Sequence, residues 1–289
     1  MNWASACRGV DHDRLESMTE LTVRRLLIDL ETPFARQWNG GDAFRTAWFN
    51  ALSMSFPVGE QFFIDSVREG LKALPGAERE RFAAEVQGFI GQEATHRRIH
   101  ALFNARLEAQ GHVNTWAPRS LERMKRLDGL DRRHAVAATA ATEHITAVFA
   151  DWMLRHPQAV AGAEARLQTL WMWHAAEESE HRSTAFDLYR AMGGNELWRT
   201  RFMRIVTVHF LIDVFRQTAR NLRHDGELWK WRTWRGGWRF VFGREGLLRQ
   251  VYRPWRAYFA SDFHPRQQDT GLSGQWLREN SAQFAVVGP

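Results

Sequence analysis

The sequence predicts an all-α protein in which four long helices form a bundle and further helices follow. Apolar residues recur at helical spacing over most of the chain, and no segment alternates in the manner of a β-strand. Proline and glycine separate the periodic stretches. The stretches of bundle length are residues 42–74, 76–111, 131–156 and 162–194. Helices of this number and length are typical of a helix bundle.

The first two helices are bounded by stop signals. Residues 42–74 contain Pro57, where we expect an interruption because proline lacks the N–H that an α-helix needs. The Pro-Gly dipeptide at 75–76 ends this region, and Gly111 ends the second helix. A polar connection then leads to a short amphipathic segment at 119–127.

The next two helices are followed by a less regular region. The Ala- and Thr-rich helix at 131–156 stops before a proline, and a Gly-Gly pair closes the helix at 162–194. Helical periodicity resumes from 196, and shorter helices are expected beyond it. The sequence therefore predicts three parts, namely an N-terminal segment at 1–41, a bundle at 42–195 and a C-terminal helical extension at 196–289.

Composition limits the classes of protein to consider. The chain has 289 residues, of which 44% are apolar and 25% charged, as in ordinary globular proteins. Its single cysteine, Cys7, excludes a disulfide framework and a thiolate cluster for zinc. The first residues lack the apolar run of a signal peptide, and the longest apolar stretch, 205–215, is too short to span a bilayer. These features predict a soluble, cytoplasmic protein.

Charge is distributed unevenly along the chain. Residues 196–289 hold 16 Lys and Arg against 8 Asp and Glu, a balance of +8. The first 195 residues hold the remaining 23 and 25, a balance of −2, which gives the net charge of +6. Half of the 14 tryptophans also follow residue 195. Basic character is therefore a property of the C-terminal extension alone.

Residues 228–259 interleave Trp and Phe with Arg, and three interpretations of this stretch are open. The tryptophans could pack on the bundle while the arginines face solvent or pair with acidic residues. The stretch could instead lie on a membrane surface, with arginines on lipid phosphates, at the periphery of the inner membrane. Contacts to nucleic acid through stacking and phosphates are the third interpretation, although we expect no nucleic-acid partner.

The motif HAAEESEH at 174–181 concentrates histidines and carboxylates on one helix. At about 100° per residue, Glu178 and His181 lie within about 40° of His174, so the three share one stripe of the helix. Glu93 and His96, three residues apart, repeat this arrangement on the second helix. One Glu-x-x-His pair is usually a surface ion pair, but two copies on two helices favour a common metal site.

The remaining two long helices each provide one candidate carboxylate. Glu60 precedes the apolar run QFFI, and Glu143 lies among small, uncharged residues. Burying an unpaired carboxylate costs several kcal/mol, so a bound cation would relieve the cost at Glu143. His144 points about 100° away from Glu143 and is not expected to bind metal.

The four helices together offer a Glu, a Glu-x-x-His, a second Glu and a second Glu-x-x-His. This is the ligand set of a dinuclear iron or manganese centre in a helix bundle. Imidazole and carboxylate ligands suit iron or manganese, and the lack of thiolates argues against structural zinc. We therefore predict two iron ions, with manganese or a mixed Mn/Fe pair as alternatives.

Several roles near the motifs stay open. His174 is either a further ligand from its helix or a hydrogen-bond donor to a ligand. His100 supports a ligand by a hydrogen bond or is a satisfied histidine of the core. Glu177 and Glu180 lie on flanking faces, where they would pair with Arg182 or with neighbouring helices, and Glu177 could also support a ligand.

These residues lie in motifs that resemble a bacterial family of predicted metal-dependent hydrolases, which is placed in the ferritin-like superfamily. The resemblance runs from about residue 45 to 275. It implies a ferritin-like fold and a dependence on metal. The motifs are FPVGEQFF (56–63), FIGQEATHRRIHALFN (89–104), ATEHITA (141–147), WHAAEESEHRSTAFDLY (173–189) and FHP (263–265).

The order of the candidate ligands is also similar to that of di-iron N-oxygenases acting on aromatic amines. Their last element, His-x-x-x-Glu-x-x-His, matches residues 174–181 position for position. By this resemblance the metal ligands would be Glu60, Glu93, His96, Glu143, His174, Glu178 and His181.

We expect an oxidoreductase that uses a di-iron centre, O2 and an electron donor to oxidise a small or lipid-like organic substrate. Aromatic residues one turn from the ligands would line a dry cavity, and the candidates are Phe62, Phe63, Phe89, Phe103, Phe149, Trp171 and Phe186. One alternative is a metal-dependent hydrolase that uses a metal-bound hydroxide. A second is non-catalytic iron handling, which the basic extension and the seventh ligand disfavour. A homodimer through the faces of the bundle is compatible with each.

Overall fold

The computed structural model describes residues 21–288, and most of them are helical, so the predicted all-α class is confirmed. Residues 1–20, which include Cys7 and half of the expected N-terminal segment, lie outside the described residues. The elements are β1 (Val23–Leu26), α1 (Ala43–Ala73), α2 (Gly76–Ala109), α3 (Trp116–Met124), α4 (Arg132–Arg155), α5 (Ala165–Glu180), α6 (Thr184–Ala191), α7 (Glu196–His224), α8 (Trp231–Phe242), α9 (Leu247–Ala257), α10 (Leu272–Glu279) and β2 (Phe284–Gly288).

The long helices pack on one another in pairs. Helix α1 lies along α2, α4 lies along α5, and α1 also contacts α4. Helices α7 and α8 cover α1, while α9 packs on α4. The narrower expectations, a four-helix bundle and the boundaries of three parts, stay predictions.

Helix α1 runs through Pro57 without a break, so the predicted interruption is wrong. Proline cannot donate to the carbonyl four residues earlier, which is that of Ser53. The side chain of Asn104 on α2 replaces the missing donor, with its Nδ2 at 2.9 Å from the Ser53 carbonyl oxygen. The Ser53 hydroxyl donates in return to Asn104 Oδ1 at 2.8 Å. A side chain from the neighbouring helix therefore keeps the helix continuous up to the site.

The single helix predicted at 162–194 is also wrong, because the chain leaves the helical path between α5 and α6. The side chain of Arg182 turns inward at this break. Its Nε donates to the Ser179 carbonyl at 2.8 Å, and its guanidinium lies 3.0 Å from Asp151 on α4. The Nε of Arg182 thus satisfies a carbonyl at the end of α5, and the ion pair with Asp151 fixes the Arg182 side chain at the break.

A small antiparallel sheet, which the sequence did not predict, joins the two ends of the described chain. Strand β1 pairs with β2, and Leu26 lies opposite Phe284. The strands have four and five residues, too few for a clear alternation of apolar and polar positions. Strand β1 lies in the expected N-terminal segment and β2 in the expected C-terminal extension.

The C-terminal helices approach the long helices closely where glycine permits it. At Gly237 in α8, a Cβ atom would lie 2.4 Å from Cδ2 of Phe44 in α1. Only glycine allows this contact, which brings the neighbouring Phe240 into the core beside Trp48. Within residues 21–288, no helix combines the length and the apolar character needed to cross a membrane.

We predict that Asn104→Ala lowers the free energy of unfolding by about 1–3 kcal/mol, because the buried Ser53 carbonyl loses its donor. Pro57→Ala restores a backbone N–H at that carbonyl. In the Pro57→Ala background, Asn104→Ala should therefore cost less, as urea unfolding of the four proteins of this double-mutant cycle would measure. An equal cost in both backgrounds would contradict this role of Asn104.

Candidate metal centre

The structure brings all seven predicted ligands together in the interior. Helices α1, α2, α4 and α5 each contribute at least one of them, and the last lies directly after α5. None is more than 5% exposed. The seven are Glu60, Glu93, His96, Glu143, His174, Glu178 and His181.

His181 lies between two of the carboxylates. Its Nε2 is 3.3 Å from Glu93 Oε1, and its Nδ1 is 2.9 Å from Glu143 Oε2. One ligand atom from each of Glu93, His96, Glu178 and His181 falls within 4.8 Å of the others. These four residues could therefore hold one metal ion.

His174 lies between the remaining carboxylates. Its Nε2 is 2.8 Å from Glu178 Oε1 and 3.9 Å from Glu60 Oε1. Glu178 Oε1 is also 3.4 Å from His96 Nδ1. Glu178 thus stands between the two groups of ligands, as a carboxylate shared by two ions would.

Unsatisfied polar atoms test whether these residues fit a metal. Within the part of the chain that the structure describes, eight of their buried polar atoms have no hydrogen-bond partner. Buried polar atoms are nearly always paired, so this concentration at one point is unusual. Divalent cations would satisfy all of them, and the donor set therefore fits a metal centre. The atoms are both carboxylate oxygens of Glu60 and of Glu93, Glu143 Oε1, Glu178 Oε2, His96 Nδ1 and His181 Nε2.

The carboxylates of the site strongly perturb one another. Burial and the neighbouring carboxylates Glu143 and Glu178 raise the pKa of Glu93 well above its usual value. Burial and Glu178 likewise raise the pKa of Glu143 to about 7. Burial opposes ionisation of Glu178 too, but the imidazoles of His174 and His96 hold its pKa well below the usual value. Without a cation, Glu93 and Glu143 therefore favour their protonated forms, whereas bound cations would favour every carboxylate in its charged form.

A chain of hydrogen bonds orients His174 from the side away from the carboxylates. His174 Nδ1 lies 2.7 Å from His100 Nε2, and His100 Nδ1 lies 2.9 Å from the Ser53 hydroxyl, which donates to Asn104. With protons on both Nδ1 atoms, every donor in the chain meets an acceptor, and His174 Nε2 keeps its lone pair. This geometry fits the predicted ligand role of His174 and makes His100 its support.

Glu177 supports His96 in a similar way. Glu177 Oε2 is 3.0 Å from His96 Nε2, which leaves Nδ1 directed at Glu178. Burial opposes protonation of His96, but Glu177 and Glu178 raise the pKa of this imidazole to about 10. A carboxylate behind a histidine in this manner is typical of metal sites.

No sequence motif pointed to Arg24 in β1, whose guanidinium group holds Glu177. Its Nη1 lies 3.1 Å from Glu177 Oε1 and 2.6 Å from Glu180 Oε2. Glu180 also accepts from Gln92 at 3.0 Å. Glu180 therefore pairs with a neighbouring strand and helix and not with Arg182, the other partner considered. No motif surrounds Arg24, so only the fold reveals its role.

His144 stands apart from the centre, as expected. Its ring packs on Tyr258 and Phe263, and its Nε2 lies 3.2 Å from the carbonyl oxygen of Pro254. Burial lowers the pKa of His144 to about 3, so the ring is neutral and donates this hydrogen bond.

Two neighbouring apolar cavities share part of their walls, and the inner one reaches the centre. The outer cavity has a volume of about 550 Å³ and lies between α1, α4, α7 and α9. The inner cavity, about 40 Å³, touches His174 and Glu178. Of the seven aromatic residues expected to line a cavity, Phe149 and Trp171 line the inner one, and the other five line neither of these two cavities. Both cavities are lined by Leu52, Ile145, Phe149 and Phe210.

Comparison with known protein families supports a dependence on metal. The family model described as predicted metal-dependent hydrolase matches residues 22–269. The chain belongs to this family. The match includes every candidate ligand and also Arg24. No curated protein and no solved structure is detectably similar to the chain. The family description gives a dependence on metal, and the buried groups of histidine and glutamate are able to hold metal ions.

We predict that the purified protein carries about two metal ions per chain and that Glu93→Ala carries far fewer. Glu85→Gln is the matched control, because Glu85 is a buried glutamate of the same helix that instead bonds to Thr184 at 2.7 Å. Elemental analysis by mass spectrometry measures the metal content of each protein. Equal metal content in Glu93→Ala and Glu85→Gln would contradict the proposed site.

We predict that Arg24→Gln weakens metal binding by about 10- to 100-fold, because Glu177 loses the partner that fixes it behind His96. Arg25→Gln removes the same charge from the next residue of the strand, which is exposed, and should leave affinity unchanged. Competition with a metal chelator measures both affinities. A similar loss in the two variants would assign the effect to the strand and not to the contact with Glu177.

Proposed function

We propose that this protein is a dinuclear metal enzyme, with iron as the favoured metal, that oxidises an apolar organic substrate with O2. The observation that carries this proposal is the pair of adjoining apolar cavities, of which the inner one touches His174 and Glu178. A substrate that approaches the centre through these cavities would meet mainly aliphatic and aromatic side chains. The reaction must therefore act on a part of the substrate that needs few hydrogen bonds.

The bound metal pair would supply the activation of O2 and the oxidation of substrate. Glu60, Glu93, Glu143 and Glu178 would hold the pair together with the three histidines. Hydroxylation is one balanced form of the reaction, in which one oxygen atom enters the substrate and the other leaves as water. It requires two electrons and two protons from an external donor.

Aromatic side chains around the centre orient the candidate histidine ligands and keep water away from them. Phe56 packs edge-on against His174 with ring centroids 4.7 Å apart, and Phe89 does the same against His181 at 5.0 Å. Trp173 closes the site beside His96 at 5.1 Å. These rings exclude water from the ligands, which strengthens electrostatic interactions in the site and limits side reactions.

Hydrolysis is the second candidate, and the description of the family favours it. The same ligands would serve, because lowering the pKa of a bound water requires only the charge of the metal. The cavity then implies an ester or amide with a large apolar part. Non-catalytic iron handling gives no reason for the two apolar cavities that adjoin the centre. The ferritin-like assignment stays a prediction.

We predict that protein loaded with ferrous iron without air takes up O2 once air is admitted, faster than the same iron in buffer. An oxygen electrode measures the uptake, and the visible spectrum before and after dithionite reports the state of the iron. Glu93→Ala should show only the rate of free iron.

Ester hydrolysis that proceeds equally without O2, in protein loaded with zinc or manganese, would instead support the hydrolase. The probe is a series of p-nitrophenyl esters of increasing chain length. Iron oxidation no faster than in buffer, together with such hydrolysis, would overturn the proposed oxidation.

A further inference from the structure

Helix α8 exposes aromatic side chains on the face that it turns to solvent. Its inner face, which includes Gly237 and Phe240, is buried. The opposite face carries aromatic residues at helical spacing, each at least 40% exposed. Trp229, just before the helix, is 90% exposed. Tryptophan is normally well covered, so a stripe of this kind indicates a contact surface. The stripe consists of Trp231, Trp234, Trp238 and Phe242.

Seven arginines of α8, α9 and the turn between them accompany this aromatic stripe, and all are exposed. Within residues 21–288, no carboxylate lies within 4.0 Å of any of their guanidinium groups, although 15 other arginines of that range form such ion pairs. The first interpretation of 228–259 had the tryptophans packed on the bundle, whereas Trp229, Trp231 and Trp238 are mostly exposed. Its other part, arginines that face solvent, does describe this surface. The arginines are Arg232, Arg235, Arg239, Arg244, Arg249, Arg253 and Arg256.

The mouth of the outer cavity adjoins the same surface. Arg249 and Tyr252 of α9 line the cavity and are exposed, as is Phe215 of α7. Tyr252 is 53% exposed and offers an apolar ring with a polar tip. These exposed lining side chains place the opening of the cavity beside α9.

We propose that α8 and α9 dock on an anionic phospholipid bilayer, with the mouth of the cavity turned toward the lipid. Tryptophan is enriched at the headgroup level of membranes because its ring is apolar and its N–H is polar. Arginines near an anionic surface each add attraction to the lipid phosphates. Residues 228–259 hold eight basic residues against one acidic residue, so the charge of this surface is complementary to such a membrane.

The cavity favours a bilayer over nucleic acid as the partner. A nucleic acid could contact the arginines and the exposed rings, but it has no part that fits the apolar outer cavity of about 550 Å³. A bilayer uses all three features. In this orientation an apolar molecule passes from the lipid into the protein without crossing bulk water.

Sedimentation of the full-length protein with vesicles tests the docking. Binding should be strong to phosphatidylcholine vesicles that contain phosphatidylglycerol, weak to phosphatidylcholine alone, and reduced by added salt. The triple variant Arg235→Gln, Arg239→Gln, Arg253→Gln should bind on the order of 100-fold more weakly. The double variant Trp231→Ser, Trp238→Ser should lose about tenfold or more.

A control triple variant on α1, α2 and α4 carries the same change in net charge. Arg68→Gln, Arg81→Gln, Arg132→Gln should bind vesicles within about twofold of the original protein, because these exposed arginines lie far from α8 in the chain and outside the basic extension.

Metal content and the unfolding temperature identify any docking variant that fails to fold. Both should be unchanged in the α8 and α9 variants, so failure of docking is separate from failure of the metal chemistry. Equal losses in the two triple variants would overturn the proposal, as would no binding to anionic vesicles. Preferential binding to a single-stranded oligonucleotide in competition with the vesicles would also overturn it.

Discussion

The buried cluster of negative charge at the meeting point of four helices is the constraint on which the rest of the structure depends. Four carboxylates and three imidazoles lie there almost without solvent, and eight of their polar atoms lack partners within residues 21–288. Such a cluster is tolerated only with compensating positive charge at its centre. Residues around the cluster orient its histidines. Arg24 holds Glu177, which contacts His96, and His100 contacts His174. The protein leaves the centre itself to cations.

Polar and apolar functions are separated around this centre. Glu177, Glu180 and Arg24, which stabilise the ligands, line neither of the two cavities described above. The cavities reach only His174 and Glu178 among the candidate ligands. The walls of the two cavities and the network that supports the candidate ligands are therefore made of different side chains. This separation would let a variable apolar molecule approach while the coordination geometry stays fixed.

The candidate ligands could be recognised in the sequence because helical periodicity is local. The residues that support them could not, because they depend on contacts between distant parts of the chain. Glu93 and His96 share a helix face whatever the tertiary structure, and so do Glu178 and His174. Arg24 precedes the first helix by many residues, and the packing of β1 on α2 together with its pairing with β2 brings it to Glu177. Asn104 keeps α1 continuous at Pro57, and Arg182 ends α5 by pairing with Asp151. Both wrong predictions, the interruption at Pro57 and the unbroken helix at 162–194, thus involve long-range side-chain contacts that no local pattern contains.

The pairing of β1 with β2 has a consequence for the order of events during synthesis. The strand that carries Arg24 is among the first described residues to leave the ribosome, but its partner at 284–288 is among the last. The edge of β1 therefore waits unpaired while all ten helices are being made. The strand that carries Arg24 is fully paired only after β2 has been translated, so the tightest metal binding is expected to be a post-translational step.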